Sequence, residues 1–486
     1  MKKGNININI IFRVLGSLLF IEAFFLLISL IVAVIYNEDD IFAFIYSIAI
    51  ALSVGFLSRV FTNASKKDIG KREGFIIVSF VWIIFSFVGS LPFILSGYIP
   101  NLTDAFFETI SGFTTTGSSI LTDIESLPHG ILFWRSIIQW MGGMGIIVLS
   151  LAILPILGIG GMQLFAAEVP GPVPDKLHPR IKETAKRLWL IYVFFTIAEV
   201  ILLLLGGMNL FDAINHSFTT MATGGYSTKQ DSIAYWDSPY IHYVIIIFMI
   251  IAGTNFTLAY FALKFKFRKV FRNEEFRYYI GFILFFSIII SLIIYYNTST
   301  GFEKSFRDSL FQVVSLMTTT GFATVDYMKW IPFTIVLLFI VMFFGSSAGS
   351  TGGGIKTMRI VLLMKNSLAE FKRLIHPQAV VQVRFNNQSV KPQIIYNILA
   401  FVVFYIVIFV MGTILMAAMG LDLDSAMGSV IATLGNIGPG IGSVGPVENF
   451  SQIPDLGKWL LSFLMLVGRL ELFTVLILLS PSFWRK

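Results

Sequence analysis

Long apolar runs alternate with short, strongly polar breaks along the whole chain. A run of roughly 20 apolar residues is what a helix needs to cross a hydrocarbon core. Two such runs come first, near residues 11–36 and 41–62, joined by the acidic Glu38, Asp39 and Asp40. Eight more follow in pairs: 74–98 with 131–157, 186–206 with 238–263, 276–296 with 330–364, and 394–418 with 456–480. Lipid does not tolerate unpaired backbone, and these runs are too long for barrel strands. The pattern therefore predicts an all-α polytopic membrane protein.

Between the members of each pair lies a shorter amphipathic segment that ends on a glycine. The four run from Asp104 to Gly117, Asp212 to Gly224, Asp308 to Gly321 and Asp424 to Gly438. The acid precedes the glycine by thirteen, twelve, thirteen and fourteen residues. The glycines recur about every hundred residues, too long a period for a solenoid. A span, a re-entrant helix, a glycine and a second span make the unit of a pore. The expected fold is four pseudo-symmetric helix–pore loop–helix repeats around one ion pore, preceded by two extra transmembrane helices. The corresponding division is 1–70 for the N-terminal pair, then 71–175, 176–272, 273–385 and 386–486 for the repeats. Each acid sits where an N-cap or first-turn acid belongs. Helices entering from outside would aim their negative C-terminal ends at the pore centre, which favours a cation there.

Composition narrows the function. The chain is 56% hydrophobic and 13% charged, against about a quarter charged in soluble domains. It has no cysteine, which excludes thiol catalysis and cysteine metal sites. Five scattered histidines, at 129, 178, 216, 242 and 376, form no His-Glu-x-x-His motif, so an enzyme is not expected. The run from Ile10 to Tyr36 is too long for a signal peptide and is expected to be a retained span. The net charge of +7 reads as a topology signal, not a nucleic-acid one. Basic residues gather in alternate loops, Arg59 to Arg72, Lys176 to Arg187, Lys264 to Arg277 and Lys356 to Lys391, and at both termini. Positive loops mark the cytoplasmic side. Both termini are then cytoplasmic and all four glycine motifs face outside.

A dehydrated monovalent cation needs oxygen ligands without a trapping charge, and rings of backbone carbonyls supply them. The candidate loops are Thr115-Thr116-Gly117-Ser118, Ala222-Thr223-Gly224-Gly225, Thr319-Thr320-Gly321-Phe322 and Asn436-Ile437-Gly438-Pro439. None carries a carboxylate at the glycine. The span after the third loop is interrupted between Gly345 and Gly354 by five glycines and four hydroxyl residues. Backbone loosened at membrane depth must line a cavity or be buried in protein. This stretch reads as a flexible loop obstructing the path below the pore loops, with a helix-packing surface as the alternative. Its gate residues are Gly345, Ser346, Ser347, Gly349, Gly352, Gly353, Gly354 and Lys356. A phosphate-binding loop is a poor match, because Ile355 separates Gly354 from Lys356 and no strand precedes it. Gly345, Ser347 and Gly349 fit a nucleophile elbow only by spacing, with no α/β sheet to carry it. Arg469 lies mid-span, where a charge is costly and a functional candidate; pairing with Glu471 is the alternative. Glu199 is also intramembrane, and His216 reads as structural.

The chain resembles the TrkH-type membrane subunits of Trk potassium uptake systems, within the wider Trk/Ktr/HKT superfamily. The resemblance covers essentially the whole chain and rests on Gly112 to Gly117, Gln139 to Gly145, Ala252 to Phe256, Gly345 to Thr357 and Gly468 to Leu472. It implies that Gly117, Gly224, Gly321 and Gly438 are filter glycines. Potassium would be bound by the carbonyls of Thr115, Thr116, Ala222, Thr223, Thr319, Thr320, Asn436 and Ile437. It also implies K+ as the transported ion with no organic cofactor, and a place in the bacterial cytoplasmic (inner) membrane. Arg469 would be an electrostatic barrier facing the pore. The implied partners are membrane lipid, a second copy in a homodimer and a cytosolic TrkA-type nucleotide-binding ring docked on the basic faces, with no nucleic acid. The loops depart from the potassium-channel Thr-Val-Gly-Tyr-Gly, so the side-chain packing that stiffens a channel filter is expected to be missing and sodium exclusion looser. The competing readings are the pore subunit of an ATP-driven potassium pump and a sodium-permeable cation transporter.

Overall fold

The computed structural model describes residues 6–62, 70–148 and 181–485. The end of the run 131–157 and the start of the basic stretch Lys176 to Arg187 lie outside the described residues, as do Met1 to Lys3. Six described helices are long and apolar enough to cross a membrane, and a seventh span is a bent pair. The protein is a helical polytopic membrane protein.

The N-terminal helices Ile8–Tyr36 and Ile41–Val60 pack along each other, and the first also packs on the first repeat. Their connecting turn is tied down by charge and ring contacts. Glu38 Oε1 lies 2.8 Å from His129 Nδ1, and Tyr36 stacks on the His129 ring at 3.8 Å. His129 opens the second span of the first repeat, so the added pair is anchored where that span begins.

The four re-entrant helices are Leu102–Phe113, Leu210–Met221, Phe302–Met317 and Leu423–Leu434. Asn101, Asn209 and Asp422 cap three of them, each side chain accepting from a backbone N–H of the first turn. Such a cap satisfies one of the orphan donors at a helix start. Asp104, Asp212 and Asp424 lie in the first turn, as the spacing predicts. Asp308 does not. The third helix starts earlier, at Phe302, and its first-turn acid is Glu303.

On the face that carries the glycine loops, the connecting segments are laced into a closed circuit. Phe450 N donates to Ser119 O at 2.8 Å, joining the fourth repeat to the first. Ile124 N donates to Gln230 Oε1 at 3.1 Å. Ala234 N donates to Ala323 O at 3.1 Å, and Tyr327 Oη to Gly440 O at 2.7 Å. Each repeat is therefore bonded to the next, and the last to the first.

Three of the second spans are broken. Pro239–Ala252 and Phe256–Leu263 meet at a bend of 113°. Pro332–Phe343 gives way to the glycine-rich loop before Thr357–Ile375 begins. Asp455–Arg469 stops before Phe473–Leu479, with Glu471 and Leu472 at φ 57° and 55°. The sequence pattern predicts only the break in the third repeat. The other two fall on Gly253-Thr254-Asn255 and on Arg469-Leu470-Glu471, short polar insertions that leave the flanking runs apolar.

Asp40, at the start of Ile41–Val60, is fully buried with Gly130 closing over it. Burial, and then the neighbouring Glu38, raise its pKa from 3.8 to about 6. A raised carboxyl pKa means that folding takes up a proton, so stability falls as pH rises from 3.8 to about 6. Asp40→Asn should therefore raise the detergent melting temperature near about pH 7.5 and leave it unchanged near about pH 4. An equal gain at both pH values would show that Asp40 does not titrate in this window.

Candidate functional site

The four re-entrant helices end in one repeated conformation. Their C-caps are Thr114, Ala222, Thr318 and Gly435. The next residue takes positive φ: Thr115 at 52°, Thr223 at 54°, Thr319 at 59° and Asn436 at 52°. Two residues further a glycine does so: Gly117 at 85°, Gly225 at 75°, Gly321 at 84° and Gly438 at 106°. Between them one N–H reaches back into the helix. Thr116 donates to Ser111 O, Gly224 to Thr219 O, Thr320 to Ser315 O and Ile437 to Ala432 O, each at 2.8 Å.

This corrects the register of the second loop. Gly225, not Gly224, is equivalent to Gly117, Gly321 and Gly438. Its distance from Asp212 is then thirteen residues (225 − 212), matching the first and third repeats. Ala222, expected to offer a carbonyl beside Thr223, is the helix cap and corresponds to Thr114; the equivalent carbonyl pair is Thr223 and Gly224. Two adjacent glycines are equally able to take a left-handed conformation, so the sequence does not discriminate between them. The point where the helix ends does. The residues after the ring glycines become Ser118, Tyr226, Phe322 and Pro439.

The loops form a ring. A Cβ on Gly117 would lie 2.0 Å from Gly224 O, one on Gly225 1.9 Å from Thr320 O, and one on Gly321 2.2 Å from Ile437 O. One on Gly438 would lie 3.0 Å from Thr116 O, which closes the circuit. Each glycine thus faces the equivalent carbonyl of the next loop. The same four glycines line one cavity of about 80 Å3. Among the described residues no donor reaches the carbonyls of Thr116, Thr320 or Ile437. Neutral oxygens with free lone pairs can replace water around a monovalent cation, and the helix C-termini behind them add negative potential.

Side-chain bracing does surround the loops, contrary to the expectation from the missing channel motif. Arg135 and Glu108 form a fully buried ion pair at 2.9 Å. Glu108 also accepts from Ser119 Oγ and Ile120 N, both at 3.0 Å. Arg135 donates to Ser227 O at 3.1 Å and lies 4.2 Å from the Tyr226 ring. Tyr226 Oη donates to Glu108 O at 2.6 Å. Gln139 spans the second loop, donating to Gly224 O at 2.8 Å and accepting from Tyr226 N at 3.1 Å. Asn436 Nδ2 donates to Thr116 Oγ1 at 3.0 Å, and Ser118 Oγ to Gly438 O at 3.0 Å. Removing one partner of a buried ion pair costs about 3–5 kcal/mol, because the other charge is left uncompensated, so Arg135 and Glu108 depend on each other. Two charges inside apolar segments were the available signal. His216 bridges Asp212 O at 2.8 Å and Ser227 Oγ at 3.0 Å, in keeping with a structural role.

Beneath the ring, Phe344–Gly345 pairs in parallel with Ile355–Lys356, so the chain leaves and returns at one point. The enclosed loop presses on the helix ends. Thr351 Oγ1 donates to Met221 O at 3.1 Å, and Gly353 N to Thr319 Oγ1 at 2.7 Å. A Cβ on Gly352 would lie 2.7 Å from Thr318 O, and one on Gly353 2.5 Å from Gly435 O. Ser346 Oγ bonds Ser350 Oγ at 2.7 Å, Ser347 N donates to Gly253 O at 2.9 Å, and Gly349 and Gly354 take φ 74° and 67°. Lys356 Nζ donates to Gly352 O. Arg469 is buried and donates to Thr351 O at 2.6 Å and Gly142 O at 3.1 Å. Glu471 does not pair with it; Glu471 pairs with Arg359 at 2.6 Å. Glu199 is fully buried near Thr220.

Four helix–re-entrant loop–helix repeats around a carbonyl ring, with two helices added in front, define a polytopic cation-transport architecture. The chain belongs to the TrkH family: the family model, described as a cation transport protein, matches residues 40–486. The Trk system potassium uptake protein TrkH of Escherichia coli K12 is 45% identical over 479 residues, covering 98% of this chain and 99% of that one. TrkG of the same strain is 35% identical, covering 99% of both chains. The crystal structure of the potassium transporter TrkH from Vibrio parahaemolyticus superposes with a TM-score of 0.90 at 39% identity, over 99% of this chain and 100% of that one.

Gly225→Ala should destabilise the protein by about 1–2 kcal/mol from its left-handed backbone alone, with the clash on Thr320 O added. Gly224 is not at positive φ, and the nearest atoms to a Cβ there belong to the Gln139 side chain. The double variant Gly224→Ala with Gln139→Ala should therefore recover part of the loss of Gly224→Ala. Gln139→Ala should not rescue Gly225→Ala. Thermal melting of the four variants in detergent checks this; rescue at 225 and not at 224 would return the register to Gly224.

Proposed function

We propose that this chain moves potassium, and rubidium as its surrogate, across the bacterial cytoplasmic membrane through the ring of loop carbonyls. The closed circuit in which each loop glycine faces the next loop's carbonyl carries this reading. A ring of neutral oxygens suits a weakly hydrated monovalent ion better than a divalent one, which would demand carboxylates. The potassium named in the relatives' descriptions supports the choice of ion. The potassium ligands are the carbonyls of Thr115 and Thr116, Thr223 and Gly224, Thr319 and Thr320, and Asn436 and Ile437.

The gate in this reading is the loop 345–354 with Arg469. The loop occupies the space under the ring and uses the same helix-end carbonyls that would attract a departing cation. Arg469 adds a positive charge to that space and pins the loop through Thr351. For the ion to pass, the Arg469 bond to Thr351 O must break and the loop must swing on its glycines. A cytosolic nucleotide-binding ring docked on the basic faces would drive that movement, and the chain would work as a homodimer. The basic loops put both termini in the cytoplasm, and the repeats divide at 71–175, 176–272, 273–385 and 386–486.

Rubidium uptake into proteoliposomes, competed by potassium, tests the reading. Gly117→Ser should reduce uptake by roughly tenfold or more, the effect of about 1.4 kcal/mol on a barrier. No uptake by wild type, even with the cytosolic partner added, would overturn it. Arg469→Ala should raise uptake severalfold while leaving competition by potassium over sodium unchanged. Unaltered uptake would remove Arg469 from the gate.

A further inference from the structure

The link between the second and third repeats has a feature that ion passage does not use. After the 113° bend, Phe256–Leu263 leaves the axis of Pro239–Ala252, and the chain continues through Lys264 to Arg272. Phenylalanines and cations alternate there. Phe265 is 83% exposed and Phe271 63%. Lys266, Arg268, Lys269 and Arg272 stand among them, all exposed. Exposed aromatic rings alternating with cations suit the boundary between hydrocarbon and headgroups.

Behind this strip lies a cavity of about 510 Å3 whose polar lining includes Lys269, Arg272, Arg277, Asn386 and Asn387. Among the described residues, none of its three cations has a carboxylate partner. The one carboxylate on the wall, Glu274, is already engaged. Lys365 pairs with it, and it exchanges backbone–side-chain bonds with Asn386 at 2.7 and 2.9 Å. The wall is thus net positive and supplied with amide donors. It is also built: Asn386 sits at the tip of the hairpin Arg384–Phe385 with Gln388–Ser389, which is packed on a small separate core around Met358 and Ile394.

We propose that this cavity binds the phosphodiester headgroup of an anionic phospholipid, with the acyl chains lying along Phe265 and Phe271. Charge selects an anion, the asparagine amides suit phosphate oxygens, and the exposed Phe271 is the chain neighbour of the lining Arg272. A soluble anion would leave those rings uncovered. The helix that begins at Glu274 also carries Glu275, whose Oε1 accepts from Ala348 N of the glycine-rich loop at 2.7 Å. The headgroup cavity and that loop therefore share one support.

Binding is measured on the purified full-length protein by native mass spectrometry, titrating phosphatidylglycerol against a phosphatidylcholine background. Wild type should hold phosphatidylglycerol, and Lys269→Gln with Arg272→Gln and Arg277→Gln should weaken it on the order of a hundredfold, about fivefold per cation. Lys329→Gln, an exposed cation on the opposite face, should change nothing. Undiminished binding in the triple variant would overturn the site. Displacement of the lipid by millimolar inorganic phosphate or ATP would reassign it to a soluble anion. Should the triple variant not fold, photo-crosslinkable phosphatidylglycerol on wild type must label 261–277 or 384–389; labelling only elsewhere would overturn the site equally.

Discussion

Non-helical backbone at membrane depth has no water to bond with, so each irregular segment of this protein must find its partners in another part of the chain. That constraint organises the molecule. The four glycine loops are held by one another and by side chains from the second spans, and the loop beneath them is held by the ends of the re-entrant helices. None of these segments would keep its shape alone. The circuit of hydrogen bonds from each repeat to the next makes four weakly related sequences behave as one ring.

The ring and its braces divide the work. In the proposed reading backbone carbonyls carry the chemistry, because their charge is partial and an ion can leave them. Side chains carry the rigidity. Arg135 and Glu108 cancel each other's charge while tying the first loop to the second, and Gln139 holds the second loop from behind. A full charge facing the ion would trap it or repel it. The same charges, buried as a pair behind the loop, brace it without presenting a net charge to the ring.

Under the ring the logic reverses. The Arg469 side chain is bound to carbonyls, and among the described residues no carboxylate pairs with it. Glu471, two residues away, is drawn off by Arg359 because the helix breaks between them and sends the two side chains in different directions. The break at 469–472 is what keeps a cation available beneath the carbonyls.

Hydropathy and charge were enough to reveal the spans, their pairing, the re-entrant segments and the glycine-rich interruption. Those features follow from composition along a line, which lipid reads segment by segment. The buried pair of Arg135 and Glu108, 27 residues apart, was visible only as two unexplained charges. The breaks at 252–256 and 469–472 fall on Gly253-Thr254-Asn255 and Arg469-Leu470-Glu471, polar positions too few to interrupt the apolar runs around them. Gly224 and Gly225 are chemically identical neighbours, and the sequence alone could assign the ring position to either. Tertiary structure decided it, because a helix end fixes which residue turns left-handed and the carbonyl of the adjacent loop leaves room for no Cβ at that point.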